Sequence, residues 1–210
     1  MPTSVIAAPL AVTTADELLA AARTLVDDNV RDIGARPEFD ISCGPRCGAC
    51  CRQAVPVTAA ELRAIRLWLD ALPDDERLAH DERIAATKAR LDAADAEAIG
   101  MKNKRAYFAL GIPCPFLVDE SCSIRSARPL ACREYVVTSD PVHCSTLADG
   151  QIVRIGATHN VLGAFANVSA ELGEPTEYLL APAIARPVPP APVVAPRAGP
   201  GLVRMMMGTP

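Results

Sequence analysis

Eight cysteines in 210 residues are the side chains here with the clearest chemistry. Four are packed into residues 43–51 as Cys43-Gly44-Pro45-Arg46-Cys47-Gly48-Ala49-Cys50-Cys51, and Cys114, Cys122, Cys132 and Cys144 follow after a long interval. Thiolates gathered at this density suit a soft metal, which needs several sulfurs within about 2.3 Å of one ion. Cys47-Gly48-Ala49-Cys50 has the C-x-x-C spacing that lets one tight turn present both sulfurs to the same side, with the glycine expected to permit the turn. Cys50 and Cys51 are adjacent, and adjacent side chains diverge. They therefore serve two separate sites, bind different metals of one cluster, or include one thiol that is not a ligand. Two tetrahedral four-thiolate sites and one polynuclear centre with spare thiols both fit eight cysteines.

Residue chemistry near the thiols points the same way. Cys114-Pro115 is a Cys-Pro pair of the kind that ends bacterial ferredoxin ligand runs. Arg46, Arg52, Arg125, Arg128 and Arg133 flank the cysteines, where a guanidinium offsets thiolate charge without losing its proton. Adjacent thiols with Cys-Pro favour an iron–sulfur cluster over zinc, and zinc is the alternative. His143, beside Cys144, is read as an exposed loop residue rather than a ligand; His80 and His159 are read as solvent-facing. No single cysteine beside a histidine stands out as a nucleophile, so no catalytic residue is assigned.

The combined pattern resembles a known family. C-x-x-x-C-x-x-C-C at Cys43, Cys47, Cys50 and Cys51, then Cys114-Pro115-Phe116-Leu117, Cys122-Ser123-Ile124 and Arg128-Pro129-Leu130-Ala131-Cys132-Arg133, looks like the CxxCxxCC, or YkgJ-type, cysteine-cluster proteins. The resemblance runs from about Phe39 to Cys144. It implies a zinc- or iron-chelating domain with all eight cysteines as ligands. Members often carry an aromatic where this chain has Arg125. A flagellin lysine methylase shares the cysteine motif, but Gly-x-Gly-x-x-Gly is absent from this chain.

Around the cysteines the sequence predicts a mainly α domain with little strand. Thr14 with Glu17, and Thr58 with Glu61, are capping boxes, in which hydroxyl and carboxylate satisfy free N–H groups at a helix start. The first opens a helix carrying Leu18, Ala22, Leu25, Val26, Val30 and Ile33 at helical spacing, stopped near Gly34 and Pro37. The second opens a helix with Leu62, Ile65, Leu69 and Leu72 on one face, closed by Pro73. Residues 74–99 alternate in charge and predict a solvated helix with ion pairs, so that a helical hairpin separates the two cysteine groups as scaffold. Lys102, Lys104 and Arg105 read as a surface helix end, residues 151–155 as a short strand, and Thr158 as the cap of a helix using Val161, Leu162, Phe165, Val168 and Leu172.

Composition sets the remaining limits. Half the residues are apolar but only 4% are aromatic, so a core short of large side chains gains from a metallic cross-link. A net charge of −4 gives nucleic acid no basic face. No apolar run approaches the roughly 18 residues of a membrane span. The N-terminus lacks the basic start of a secretory signal, so the expected compartment is the cytoplasm, where thiols stay reduced. The expected organisation is a lead-in over 1–13, one cysteine-cluster domain over 14–181, and a disordered Pro/Ala-rich tail over 182–210.

Overall fold

The computed structural model describes residues 14–147, 150–155, 161–174 and 178–192. Among these described residues helix accounts for 58% and strand for 6%, as the periodicity predicts. Helix α1 (Ala15–Gly34) starts on the Thr14 and Glu17 capping box and buries Leu18, Leu19, Ala22, Val26 and Ile33. A short strand β1 (Pro56–Val57) leads into α2 (Ala59–Asp70), whose capping box of Thr58 and Glu61 is also formed. Leu62, Ile65 and Leu69 make its buried face. Arg63 on α2 binds Asp16 on α1 at 3.0 Å and also pairs with the buried Glu174.

Helix α3 (Asp74–Ala93) follows directly after Pro73. Its outer face carries the expected ion pairs, Arg77 with Asp74 at 2.6 Å and Lys88 with Asp92. Its inner face was less legible: His80, Ile84, Thr87 and Leu91 are buried at spacings of four, three and four residues. His80, expected in solvent, is only 5% exposed. Its ring packs edge-on to Trp68, centroids 5.9 Å apart, and lies 6.0 Å from that of Phe116. The helical stripe overrides the polarity of the imidazole because that position faces the core. Burial holds the His80 pKa below its usual value. A depressed histidine contributes stability that is present above about pH 6.5 and lost as pH falls through the lowered value. His80→Phe is accordingly expected to flatten the loss of stability between pH 7 and 5 in urea unfolding.

The chain continues through α4 (Ala96–Lys102) and α5 (Lys104–Ala109), with Lys102, Lys104 and Arg105 exposed at their junction. The Asn103 side chain caps α5 by accepting from the Arg105 and Ala106 N–H groups. Next, β2 (Leu117–Val118) and β3 (Ser121–Cys122) form an antiparallel hairpin across Asp119 and Glu120, both at positive φ. Short helices α6 (Leu130–Glu134) and α7 (Pro141–Thr146) carry the last two cysteines. The strand expected at 151–155 is a single antiparallel bridge between Val137 and Arg154.

Helix α8 (Val161–Glu171) buries Val161, Phe165 and Val168 against α1, and Gly173 at φ +81° ends the segment as its sequence suggested. The expected cap Thr158 and His159 lie outside the described residues, as do residues 1–13 of the lead-in. The first residues of the stretch expected as tail, Pro182, Ala183 and Ile184, are packed into the fold. Strand β4 (Tyr178–Leu179) pairs with β1, and α9 (Leu180–Ala183) packs on α3. Pro182, Ala183 and Ile184 are buried, because the apolar residues of this stretch have a core face to fill next to Val57 and Phe116. Residues 193–210 lie outside the described residues.

Candidate metal centre

The first cysteine loop is a chain of tight turns. Cys47 N–H reaches Gly44 C=O at 3.2 Å, Cys51 N–H reaches Gly48 C=O at 3.0 Å, and a 3₁₀ turn spans Ala49–Arg52. Gly48 is needed for space rather than for unusual torsion. Its φ is −93°, and Arg46 takes the positive φ instead. A Cβ on Gly48 would fall 2.5 Å from Glu120 Oε2, 2.6 Å from Leu117 Cδ1 and 3.3 Å from Glu120 Cα. The hairpin that carries Cys122 is therefore seated directly on the loop that carries Cys47 and Cys50. Gly48→Ala is expected to cost about 1–3 kcal/mol by overpacking. Gly44→Ala, with nothing within 4 Å of its Cβ, serves as the near-neutral control in the same thermal melts.

Backbone bonds bring the later cysteines to this loop. Ser42 N–H donates to Val137 C=O at 3.0 Å, and Ser42 Oγ donates to Ser139 C=O at 2.5 Å, which ties the loop to the segment leading into α7. Cys114 N–H donates to Cys51 C=O at 2.7 Å. Cys122 lies opposite Leu117 in the hairpin. Cys132 depends on a carboxylate: Glu61, fully buried, accepts from Leu130 N–H at 2.7 Å while also accepting from Thr58 N–H at 2.8 Å. Burial pushes the Glu61 pKa up, against the pull of these hydrogen bonds. Sequence reasoning identified Glu61 only as a helix cap.

Arg133 also holds α6, but not in the expected way. It donates to Arg128 C=O at 2.9 Å and to Ser126 C=O, and pairs with Asp27 of α1 at 2.5 Å. Its charge serves that carbonyl cage. Arg52 pairs with Glu120 at 3.1 Å, and Arg46 is exposed. Arg128 is the guanidinium whose charge acts on the thiols, favouring the thiolates of Cys43, Cys50, Cys122 and Cys132; Arg125 acts on Cys122. His143 sits half-buried on α7, not in an exposed loop, because α7 packs on the 3₁₀ turn.

All eight thiols are free. The charge of Cys50, the thiol whose pKa is lowered, acts on Cys43, Cys51, Cys114, Cys122, Cys132 and Cys144. Cys51 donates its S–H to Cys50, which lowers the Cys50 pKa to about 7 and raises that of Cys51. Burial raises Cys114 to about 12 and lifts Cys43, Cys122, Cys132 and Cys144 as well. Buried thiols resist ionising in the absence of a cation, and a bound metal reverses that balance.

Among the described residues, no group of three or more His, Cys, Asp or Glu side chains is already placed to hold a metal ion, although the cysteine sulfurs lie near enough for their charges to interact. Their donor chemistry fits a metal nonetheless, since several sulfurs accept the hydrogen bonds that support thiolate ligands. Cys43 accepts from Val137 N–H, Cys114 from Phe116 N–H, Cys122 from Ile124 N–H, and Cys144 from the Tyr135 hydroxyl. Tyr135 is itself fixed by Gln53 Nε2 at 3.3 Å and by the Arg154 guanidinium 4.7 Å above its ring.

No described helix is long and apolar enough to cross a membrane. No curated protein and no solved structure matches the chain. A family model does: CxxCxxCC, described as "Putative zinc- or iron-chelating domain", matches residues 42–149, slightly more than half of the chain and the whole span of the eight cysteines. With that match laid over loops that bring both groups of thiols together, the chain belongs to the CxxCxxCC family.

Proposed function

We propose that this is a metal-binding protein whose eight cysteines hold an iron–sulfur centre in an electron-transfer or accessory redox role. The observation that carries the reading is the pair of backbone bonds that join the two cysteine groups, Cys114 N–H to Cys51 C=O at 2.7 Å and Ser42 N–H to Val137 C=O at 3.0 Å. Adjacent thiols and Cys114-Pro115 favour the iron–sulfur form. When bound, such a centre supplies one-electron chemistry. The chain's own residues bury the sulfurs, direct N–H groups at them and set the positive charge of Arg128 beside them, three factors that tune such a centre. Eight unbridged thiols suit a reducing, cytoplasmic setting.

Structural zinc is the second reading, and a specific observation favours it. The thiols cross-link segments built of two-residue strands and helices of five and six residues, which hold little shape by themselves. Metal and acid-labile sulfide analysis of anaerobically isolated protein, with its visible spectrum, tests both. Iron, sulfide and broad visible absorption are expected; a colourless zinc-loaded chain selects the second reading, and a metal-free chain with native stability overturns both.

A further inference from the structure

Over the first cysteine loop lies a surface groove of about 430 Å³, within the roughly 300–1,000 Å³ of small-ligand sites. Pro45, Pro141 and Val142 give it apolar surface, and its charged groups are Arg46, Arg52 and Glu120. Of the eight cysteines, only Cys47 is in its walls. Arg52 is already engaged, by Glu120 at 3.1 Å and by Gly48 C=O at 3.3 Å. Arg46 is exposed and, among the described residues, forms no salt bridge. The groove therefore carries an uncompensated positive charge next in sequence to its thiol, in a chain whose net charge is −4.

The backbone at Arg46 points the same way. Cys47 N–H closes a turn on Gly44 C=O at 3.2 Å, with Pro45 as the second residue and Arg46 as the third. Arg46 has φ +63°, and the third position of a turn at positive φ normally takes glycine or asparagine. An arginine held in that conformation is a reason to ask what its side chain binds.

Resting on the metal-binding reading above, we propose that this groove is where metal enters, carried as a small anionic carboxylate chelate. The planar Arg46 guanidinium takes a carboxylate of the chelate in paired hydrogen bonds and so sets the ion beside Cys47. The transfer is a ligand exchange with no change of oxidation state. A carboxylate–metal bond breaks, the Cys47 sulfur takes the vacated position, and the thiol proton passes to the freed carboxylate or to water. A hydrated divalent ion is cationic and gains nothing from Arg46. The two forms of one metal are therefore expected to respond differently to the charge at that position.

Cobalt(II) is the probe, supplied either as the hydrated ion or as its net-anionic complex with nitrilotriacetate. The full-length chain is stripped and reduced anaerobically, and stopped-flow absorption of the thiolate-to-cobalt band gives the initial rate of uptake from each source. Arg46→Glu is expected to slow uptake from the chelate about tenfold at low ionic strength, the lower end of electrostatic steering, and by much less at high salt, where charges are screened. Uptake from the hydrated ion stays unchanged or rises, which a damaged loop would not allow. Arg90→Glu makes the same charge change on the exposed surface of α3 and leaves both rates unchanged. Equal slowing from both sources, no slowing from the chelate, or the same slowing in Arg90→Glu overturns the entry site and leaves metal binding standing. A wild-type chain that develops no thiolate-to-cobalt band from either source overturns the metal-binding reading itself.

Discussion

Removal of bound metal under anaerobic conditions is expected to lower the thermal unfolding midpoint by about 20 °C or more. Thiolate–zinc sites contribute binding free energies on the order of 10 kcal/mol that become folding free energy. In a domain near this size each kcal/mol moves the midpoint by about 2–4 °C. The effect is not uniform over the chain. Helices α1, α2 and α8 share apolar faces, with Leu18, Leu19, Val26, Ala60, Phe165 and Val168 in one cluster, and are expected to keep their helicity. The hairpin Leu117–Val118 with Ser121–Cys122, and the helices Leu130–Glu134 and Pro141–Thr146, are too short to persist alone. Hydrogen exchange followed by mass spectrometry should show protection lost over residues 42–53 and 113–146 and retained over most of 15–34. A midpoint unchanged within a few degrees contradicts the assignment.

Glu61→Ala is expected to be the most destabilising single substitution outside the thiols, by about 3–5 kcal/mol. That is the range for removing one partner from a fully buried charged network. The carboxylate accepts from Thr58 N–H, Thr58 Oγ1 and Leu130 N–H, and its loss leaves two buried N–H groups without an acceptor, each costing about 1–3 kcal/mol. The matched control is Glu17→Ala, the same capping-box position in α1 but at the surface, where about 0.5–2 kcal/mol is the usual cost of losing a cap. Urea unfolding compares the two. The Glu61 variant is also expected to release metal faster, because Leu130 begins the turn that presents Cys132. A loss below 1 kcal/mol would mean that the bond to Leu130 does little for the fold.

Helix starts and the two cysteine groups were legible because their signals are local. Thr14 with Glu17 and Thr58 with Glu61 each state a hydrogen-bond exchange within four residues, and both are formed. What the chain does at a distance left weaker marks. The bond from Leu130 to Glu61 spans 69 positions, and nothing near either residue announces it. His80 belongs to a buried stripe with Ile84, Thr87 and Leu91, but two of those four are polar, so a count of large apolar residues passes over it. The hairpin turn at Asp119 and Glu120 lacks the glycine that normally marks positive φ. Arg133 and Arg128 look alike beside the cysteines; only tertiary structure pairs one with Asp27 and leaves the charge of the other acting on the thiols. Residues 182–184 read as tail by composition, yet burial against β1 and α3 outweighs the proline content.

X-ray absorption at the metal edge of the anaerobically isolated chain tests the central claim most directly. The account predicts a first shell of sulfur alone, four per metal at about 2.3 Å, and loss of that shell when thiols of either sequence group are replaced. A first shell of oxygen or nitrogen, or a sulfur shell that survives replacement of Cys114, Cys122, Cys132 and Cys144 together, would contradict it.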